Sequence, residues 1–297
     1  MRSQDRLVRG IIGGDKARAF VLRTTDVVNE AQACHHTYPV ATAALGRTLT
    51  IALVLGAMLK GDESVTVQVR GSGILNGIVA VADSKGHVRG YVGNPQAHLP
   101  LTANNKLAVG EAVGRGLLFV MRDLGLKETY QGSVPIQTGE IGDDFAYYFA
   151  LSEQTPSVVS LGVLVNPDNS VRSAGGLVVQ LLPGGESDDA FVAELERIAA
   201  DLPPMSQVFV DDVQPGQVLQ KFFGHLGVKL ISEVPVSYSC DCSRERFQRG
   251  LVALGTAELE DLIAEGEPVE TVCRFCSKRY LFPLAEVKDL LAELRRS

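Results

Sequence analysis

Four of the chain's five cysteines, Cys240, Cys242, Cys273 and Cys276, fall within 37 residues as C-x-C, a 30-residue spacer and C-x-x-C. Thiols in that density do one of two things: hold a metal or exchange electrons. Two close pairs separated by a spacer have the ligand layout of structural zinc sites. Each short knuckle aims two thiolates at one ion, and the spacer brings back the second pair. Four thiolates at about 2.3 Å close a tetrahedral shell with no open position. Four unrelated buried thiols need no such pairing, and a disulfide framework fits poorly with a chain that reads as intracellular.

The first pair is unusual. Zinc knuckles ordinarily place two to four residues between ligands, whereas Cys240-Asp241-Cys242 places one. Zinc-bound thiolates are already deprotonated, which makes them potential nucleophiles toward peroxide or hypochlorite. Oxidation to disulfides would remove all four ligands at once. Structural zinc contributes ~10–16 kcal/mol in zinc-finger peptides, more than the ~5–15 kcal/mol net stability of a domain. Losing the ion should therefore unfold the module that holds it. Spacing makes a switch feasible without establishing one.

The remainder of the chain must position that module. Its 297 residues suffice for two cores, and 45% hydrophobic with 21% charged residues is a globular composition, not a disordered one. Three zones follow from pattern. Residues 1–183 mix strands and helices, with strand candidates at 20–25, 65–70, 77–83, 87–92, 116–121, 129–137, 158–165 and 177–182. Residues 145–152 read as more helical. Residues 184–232 carry helices with apolar faces at Phe191, Leu195, Ile198 and Leu202, then at Val218, Leu219, Phe222 and Phe223. Ser187 or Asp188 can cap the first, and Pro215 can open the second. Residues 233–297 open with a strand at 234–239 and continue with helical patterns at 244–254, 257–263 and 284–294. The fold class is α+β: an N-terminal mixed α/β domain on a twisted sheet, a helical linker and a small C-terminal zinc-binding domain. A module of about 65 residues often needs a metal for stability.

Charge divides along the same lines. Residues 1–183 hold 16 basic and 15 acidic side chains, 184–232 hold 3 and 8, and 233–297 hold 9 and 12. An acidic cysteine module argues against phosphate binding, so a zinc-ribbon nucleic-acid binder is disfavoured despite Arg274, Lys278 and Arg279. Val40 to Leu59 has the length of a membrane span, but Arg47 sits within it at ~2.5–3.5 kcal/mol on insertion scales. It reads as a buried core helix. With no secretory pattern in the first 20 residues, the expectation is a cytoplasmic protein.

The chain resembles the redox-regulated heat-shock chaperone family, the bacterial 33-kilodalton holdase, over nearly its whole length. The resemblance rests on Cys240-Asp241-Cys242-Ser243-Arg244-Glu245-Arg246, on Leu254-Gly255, and on Cys273-Arg274-Phe275-Cys276 followed by Tyr280 and Phe282. It extends to Leu45-Gly46-Arg47, Gly86-His87-Val88-Arg89-Gly90-Tyr91, Tyr130-Gln131-Gly132, Ser152-Glu153-Gln154-Thr155-Pro156 and Ala174-Gly175-Gly176 before Gln180-Leu181-Leu182-Pro183. What it implies is an ATP-independent, non-enzymatic chaperone, inactive while reduced with one Zn2+ per chain on the four cysteines. It further implies that oxidation pairs Cys240 with Cys242 and Cys273 with Cys276, releases zinc and loosens the linker. The active form, a homodimer, holds unfolding client proteins.

Other motifs point elsewhere and carry less. Gly71-Ser72-Gly73 to Gly77 follows a strand but has the wrong spacing for a dinucleotide loop. Cys34-His35-His36 offers a thiol beside imidazoles with no third group. A thiol oxidoreductase would want Cys273-Arg274-Phe275-Cys276 at a helix start beside a βαβ unit, a pattern that is absent. Asp211-Asp212 and Glu258, Glu260, Asp261 read as solvated faces. Phe222-Phe223 reads as linker packing.

Overall fold

The computed structural model describes residues 5–125, 130–211 and 213–295. The chain divides into two compact units, 1–239 and 240–297.

In the first unit a hairpin of β1 (Arg6–Ile12) and β2 (Ala17–Arg23) leads into α1 (Thr25–His35) and α2 (Pro39–Gly56). Then come β3 (Ser64–Gly71), β4 (Ile78–Asp83), β5 (His87–Val92), α3 (Val109–Val113), β6 (Gly116–Asp123) and β7 (Tyr130–Pro135). The helix α4 (Gly142–Ser152) precedes the long hairpin β8 (Ser157–Val165) and β9 (Val171–Leu181). Three helices follow, α5 (Asp189–Asp201), α6 (Met205–Val208) and α7 (Pro215–Phe223), and then β10 (Val228–Pro235) and β11 (Ser237–Tyr238).

These strands form two sheets, ordered β10-β1-β2-β9-β8 and β11-β5-β4-β3-β6-β7. The helix α2 packs against both. Only Pro39 and Arg47 of α2 escape burial, so the span-length apolar segment is the centre of the core. Its hydroxyls are satisfied locally, Thr48 Oγ1 donating to Ala44 O and Thr50 Oγ1 to Gly46 O, each at 2.8 Å. Arg47 leaves the core by pairing with Glu140 at 2.5 Å.

Strand periodicity splits the first sheet into two faces. Leu7, Phe20, Leu22 and Val178 point toward α2 and join the larger core. Val8, Ile12, Ala17, Ala19, Val21, Leu177 and Val179 point the other way and meet Phe191, Leu195, Ile198, Val218, Leu219 and Phe223 of the linker helices. Both faces of β2 are covered, which explains its nearly continuous apolar sequence. Residues 184–223 therefore have a core only by borrowing the sheet's outer face. Asp188 caps α5 by accepting from Phe191 N at 3.0 Å, as its position in the sequence suggests.

The strand expected at 234–239 differs in extent. It begins at Val228, lies antiparallel to β1, and ends before a short parallel pairing of β11 with β5. Those pairings hold residues 228–239 in the first unit, so the compact boundary follows Ser239. Sequence pattern gives no clear sign of β1 or α1: Arg6 and Arg9 interrupt the apolar alternation of β1.

The second unit contains α8 (Arg244–Val252), α9 (Thr256–Glu265), the hairpin of β12 (Val269–Val272) and β13 (Arg279–Phe282), and α10 (Leu284–Leu294). Its buried apolar core is small: Leu251, Leu259, Tyr280, Phe282, Val287, Leu290 and Leu291.

Candidate metal centre

The second cysteine pair sits in the turn joining β12 to β13. Cys273 N donates to Lys278 O at 2.9 Å and Ser277 N to Cys273 O at 2.8 Å, closing a tight loop. Ser277 takes a left-handed conformation, φ 58°, to make that turn. The first pair lies in the extended segment before α8. Ser243 caps that helix by accepting from Arg246 N at 3.3 Å, and Arg246 pairs with Asp241 between the two thiols at 3.1 Å.

The spacer does what the spacing requires: all four sulfurs lie within 4.8 Å of one another. Cys242 and Cys276 sulfurs are 3.4 Å apart and Cys240 and Cys273 sulfurs 3.7 Å. A tetrahedral shell at about 2.3 Å puts neighbouring sulfurs roughly 3.8 Å apart, so the spacing suits one ion at the centre. All four are free thiols, Cys273 buried and the others partly so. Each of these two contacts joins one pair to the other.

Electrostatics point the same way. Burial, with the neighbouring thiols, pushes Cys240 up to about 11 and raises Cys276 further. Burial also acts to raise Cys242, but the Tyr280 hydroxyl and the adjacent thiols outweigh it and the net direction is down. Without a cation the cluster resists placing negative charge on every sulfur. A soft divalent ion would supply the compensation, and the all-sulfur donor set fits one.

Tyr280 is the residue that spacing arguments missed. Its hydroxyl donates to Cys242 O at 3.1 Å and lies 3.2 Å from the Cys242 sulfur. Phe247 packs on its ring at a centroid distance of 4.9 Å. The signal was the alternation Tyr280-Leu281-Phe282, which turns both aromatic side chains inward from β13. Arg244 also braces the cluster. Its guanidinium lies 4.3 Å from the Phe282 ring centroid, donates to Leu281 O at 2.8 Å and pairs with Glu286. These contacts tie the cysteine segment, the hairpin and α10 together.

The other singled-out residues stay apart from this cluster. Gly71 and Gly73 are in close backbone packing, where a Cβ would lie 1.9 Å from Val113 O and 2.2 Å from Ala112 O. Cys34 is held up by burial at the end of α1, and His35 Nε2 reaches Gly90 O and Tyr238 Oη. Glu258, Glu260 and Asp261 are exposed on α9, and Asp211 is exposed in a turn. Asp212 lies outside the described residues. Phe223 is buried against the first sheet, with Phe222 packed at its margin.

A family model described as Hsp33 protein matches residues 5–283. The 33 kDa chaperonin of Bacillus pumilus is 45% identical over 293 residues, covering 98% of this chain and 100% of that protein. The 33 kDa chaperonin of Bacillus subtilis gives the same identity and coverage, 45%, 98% and 100%. The crystal structure of the 33 kDa chaperonin from Thermotoga maritima superimposes with a TM-score of 0.91 at 37% identity, covering 99% of this chain and 100% of that one. With matches that span both units at these identities, the chain belongs to the Hsp33 protein family.

Proposed function

We propose that this protein is a redox-gated, ATP-independent holdase chaperone that keeps unfolding proteins from aggregating in the cytoplasm under oxidative stress. The observation that carries the reading is the convergence of four thiols within 4.8 Å in a unit with a very small apolar core. In the reduced state Cys240, Cys242, Cys273 and Cys276 hold one zinc ion, which serves as a cross-link between the segment before α8 and the β12–β13 turn. An oxidant such as peroxide takes two electrons from each zinc-bound thiolate pair and two protons from solvent, forming the Cys240–Cys242 and Cys273–Cys276 disulfides, leaving water and setting the zinc ion free. The ligands are then gone and the unit around them loosens.

Three parts share the work: a chaperone core over 1–183, an acidic linker over 184–232 and a redox-switch module over 233–297. Supporting this is the dependence of α5 and α7 on the outer face of the first sheet. When the linker leaves, that apolar face becomes available to client proteins, as exposed apolar patches generally do. The oxidised form acts as a homodimer. It turns over no substrate and binds neither nucleic acid nor membrane. The acidic balance of 184–297 disfavours nucleic acid, and α2 is committed to the core.

The test measures zinc stoichiometry and suppression of client aggregation in parallel, before and after oxidation. One zinc per reduced chain, lost as activity appears, is the expected result. Activity that rises with zinc still bound would remove the proposed gate.

A further inference from the structure

We propose that a cleft in the first unit, between Arg9 and Ser232 on one side and the C-terminal turn of α2 on the other, binds a short branched-chain carboxylate. The cleft encloses about 70 Å³, roughly five water-sized volumes on that measure. Its walls are apolar where Leu53, Val234 and Val236 line it, and polar where Arg9 and Ser232 do.

The two polar residues are placed together by the strand ladder, at the edge of a strand irregularity. Arg9 and Ser232 are directly opposed in the β1–β10 ladder, and the register shifts immediately afterwards, so that Gly10 faces Leu230 and Ile231 is the extra residue. Such bulges re-aim side chains and recur beside functional sites. Leu7 and Val234, the pair two positions along, share the same face.

The charge there is unbalanced. Among the described residues no carboxylate pairs with Arg9. Its contact is the Phe20 ring, 5.7 Å from the guanidinium carbon, and its Nε is buried without a hydrogen-bond partner. Arg18 stands over the same ring at 5.9 Å and bonds two neutral groups, Gln180 Oε1 at 2.9 Å and Met58 Sδ at 3.9 Å. The C-terminal end of α2 offers about half a negative charge, less than the two guanidiniums require. Both guanidiniums are half-buried, and Glu153, the carboxylate that acts on Arg18, is itself paired with Arg122, so an anion is the complement. Ser84, also at the cleft, already donates to Gly61 O at 2.6 Å, which leaves Arg9 and the Ser232 hydroxyl as the donors. A carboxylate satisfies both while a small branched tail fills the apolar side.

Isothermal titration of the reduced, zinc-loaded full chain with isobutyrate tests this, with isobutyramide as the neutral isostere. One saturable site is expected, with the amide and an Arg9→Met variant each binding at least roughly tenfold more weakly. Because Arg9→Met can misfold, the Arg9 Nε–Hε resonance of the unaltered protein is followed as well; it should shift on adding isobutyrate and stay put with the amide. Amides of 228–236 should exchange more slowly with isobutyrate bound. Absence of saturable binding, equal affinity for the amide, or an unmoved Arg9 resonance at saturation would each overturn the assignment.

Discussion

The Tyr280 hydroxyl bonds Cys242 twice over, donating to its carbonyl at 3.1 Å and lying 3.2 Å from its sulfur. One side chain on β13 thereby fixes both the backbone and the thiol of the C-x-C knuckle. Groups that hold metal ligands in place typically carry ten- to hundredfold effects on affinity. Tyr280→Phe should keep the fold and one ion per chain but weaken zinc binding by roughly that factor. Competition against a chromophoric chelator measures it; unchanged affinity would show that the hydroxyl only packs.

The disulfide pattern is the second expectation. Peptide mapping of oxidised protein should find Cys240 joined to Cys242 and Cys273 to Cys276. The competing pattern is a real one, since sulfur contacts of 3.7 and 3.4 Å run between the pairs. Once the unit loosens, however, closing across a long spacer costs more chain entropy than closing between near neighbours. Dominant Cys240–Cys273 linkage would mean that oxidation traps the folded cluster. Cys34, shielded at the end of α1, should remain a thiol, and Cys34→Ser should leave activation intact.

How much of this could be read from the chain is itself physical. The cysteine layout, the core helix and the β-branched strands were legible because each is a local pattern. The cap at Asp188 was legible for the same reason. What was not legible is non-local. β10 is almost wholly exposed, so burial leaves no periodic mark on it, and its identity comes from pairing with a strand more than 200 residues earlier. The division of the strands into two sheets around α2 likewise depends on partners that no short window contains. Tyr280 was noted in a motif, but its contact with Cys242 needed the hairpin to be closed.

Acid should stabilise the first unit through Asp5. Its carboxylate is buried against Arg23 at 2.7 Å and accepts from Val27 N at 2.8 Å, yet burial outweighs these contacts and raises it to about 6 from 3.8. The folded state thus takes up a proton before the unfolded state does. Stability gains from this group as pH falls through about 6 toward 4, on the order of 2–3 kcal/mol in full. Urea unfolding of the parent and of Asp5→Asn from neutral to mildly acidic pH should give curves that diverge, the parent gaining relative to the variant. Parallel curves would place the proton elsewhere.

The last expectation concerns the clasp on the linker. At the tip of the β1–β2 hairpin, a Cβ on Gly13 would lie 2.5 Å from the Phe191 ring, so the ring rests directly on the backbone. Lys16 Nζ stands 5.4 Å from the centre of that ring and pairs with Asp188, the α5 cap, at 2.6 Å. The start of α5 is therefore held by one aromatic contact and one exposed ion pair. Exposed pairs contribute about 0–1 kcal/mol, whereas losing a buried aromatic side chain costs about 3–5 kcal/mol. Phe191 should dominate, and Lys16→Ala should change little. Phe191→Asp or Leu195→Asp should release the linker and give chaperone activity in the reduced protein with zinc still bound. Hydrogen exchange separates the possibilities: 184–223 should lose protection in the variants, and 184–297 in the oxidised parent, while most of 1–183 stays protected. If the linker kept its protection while activity rose, exposure of the sheet would not be the mechanism. Dimerisation alone would then have to account for the gain.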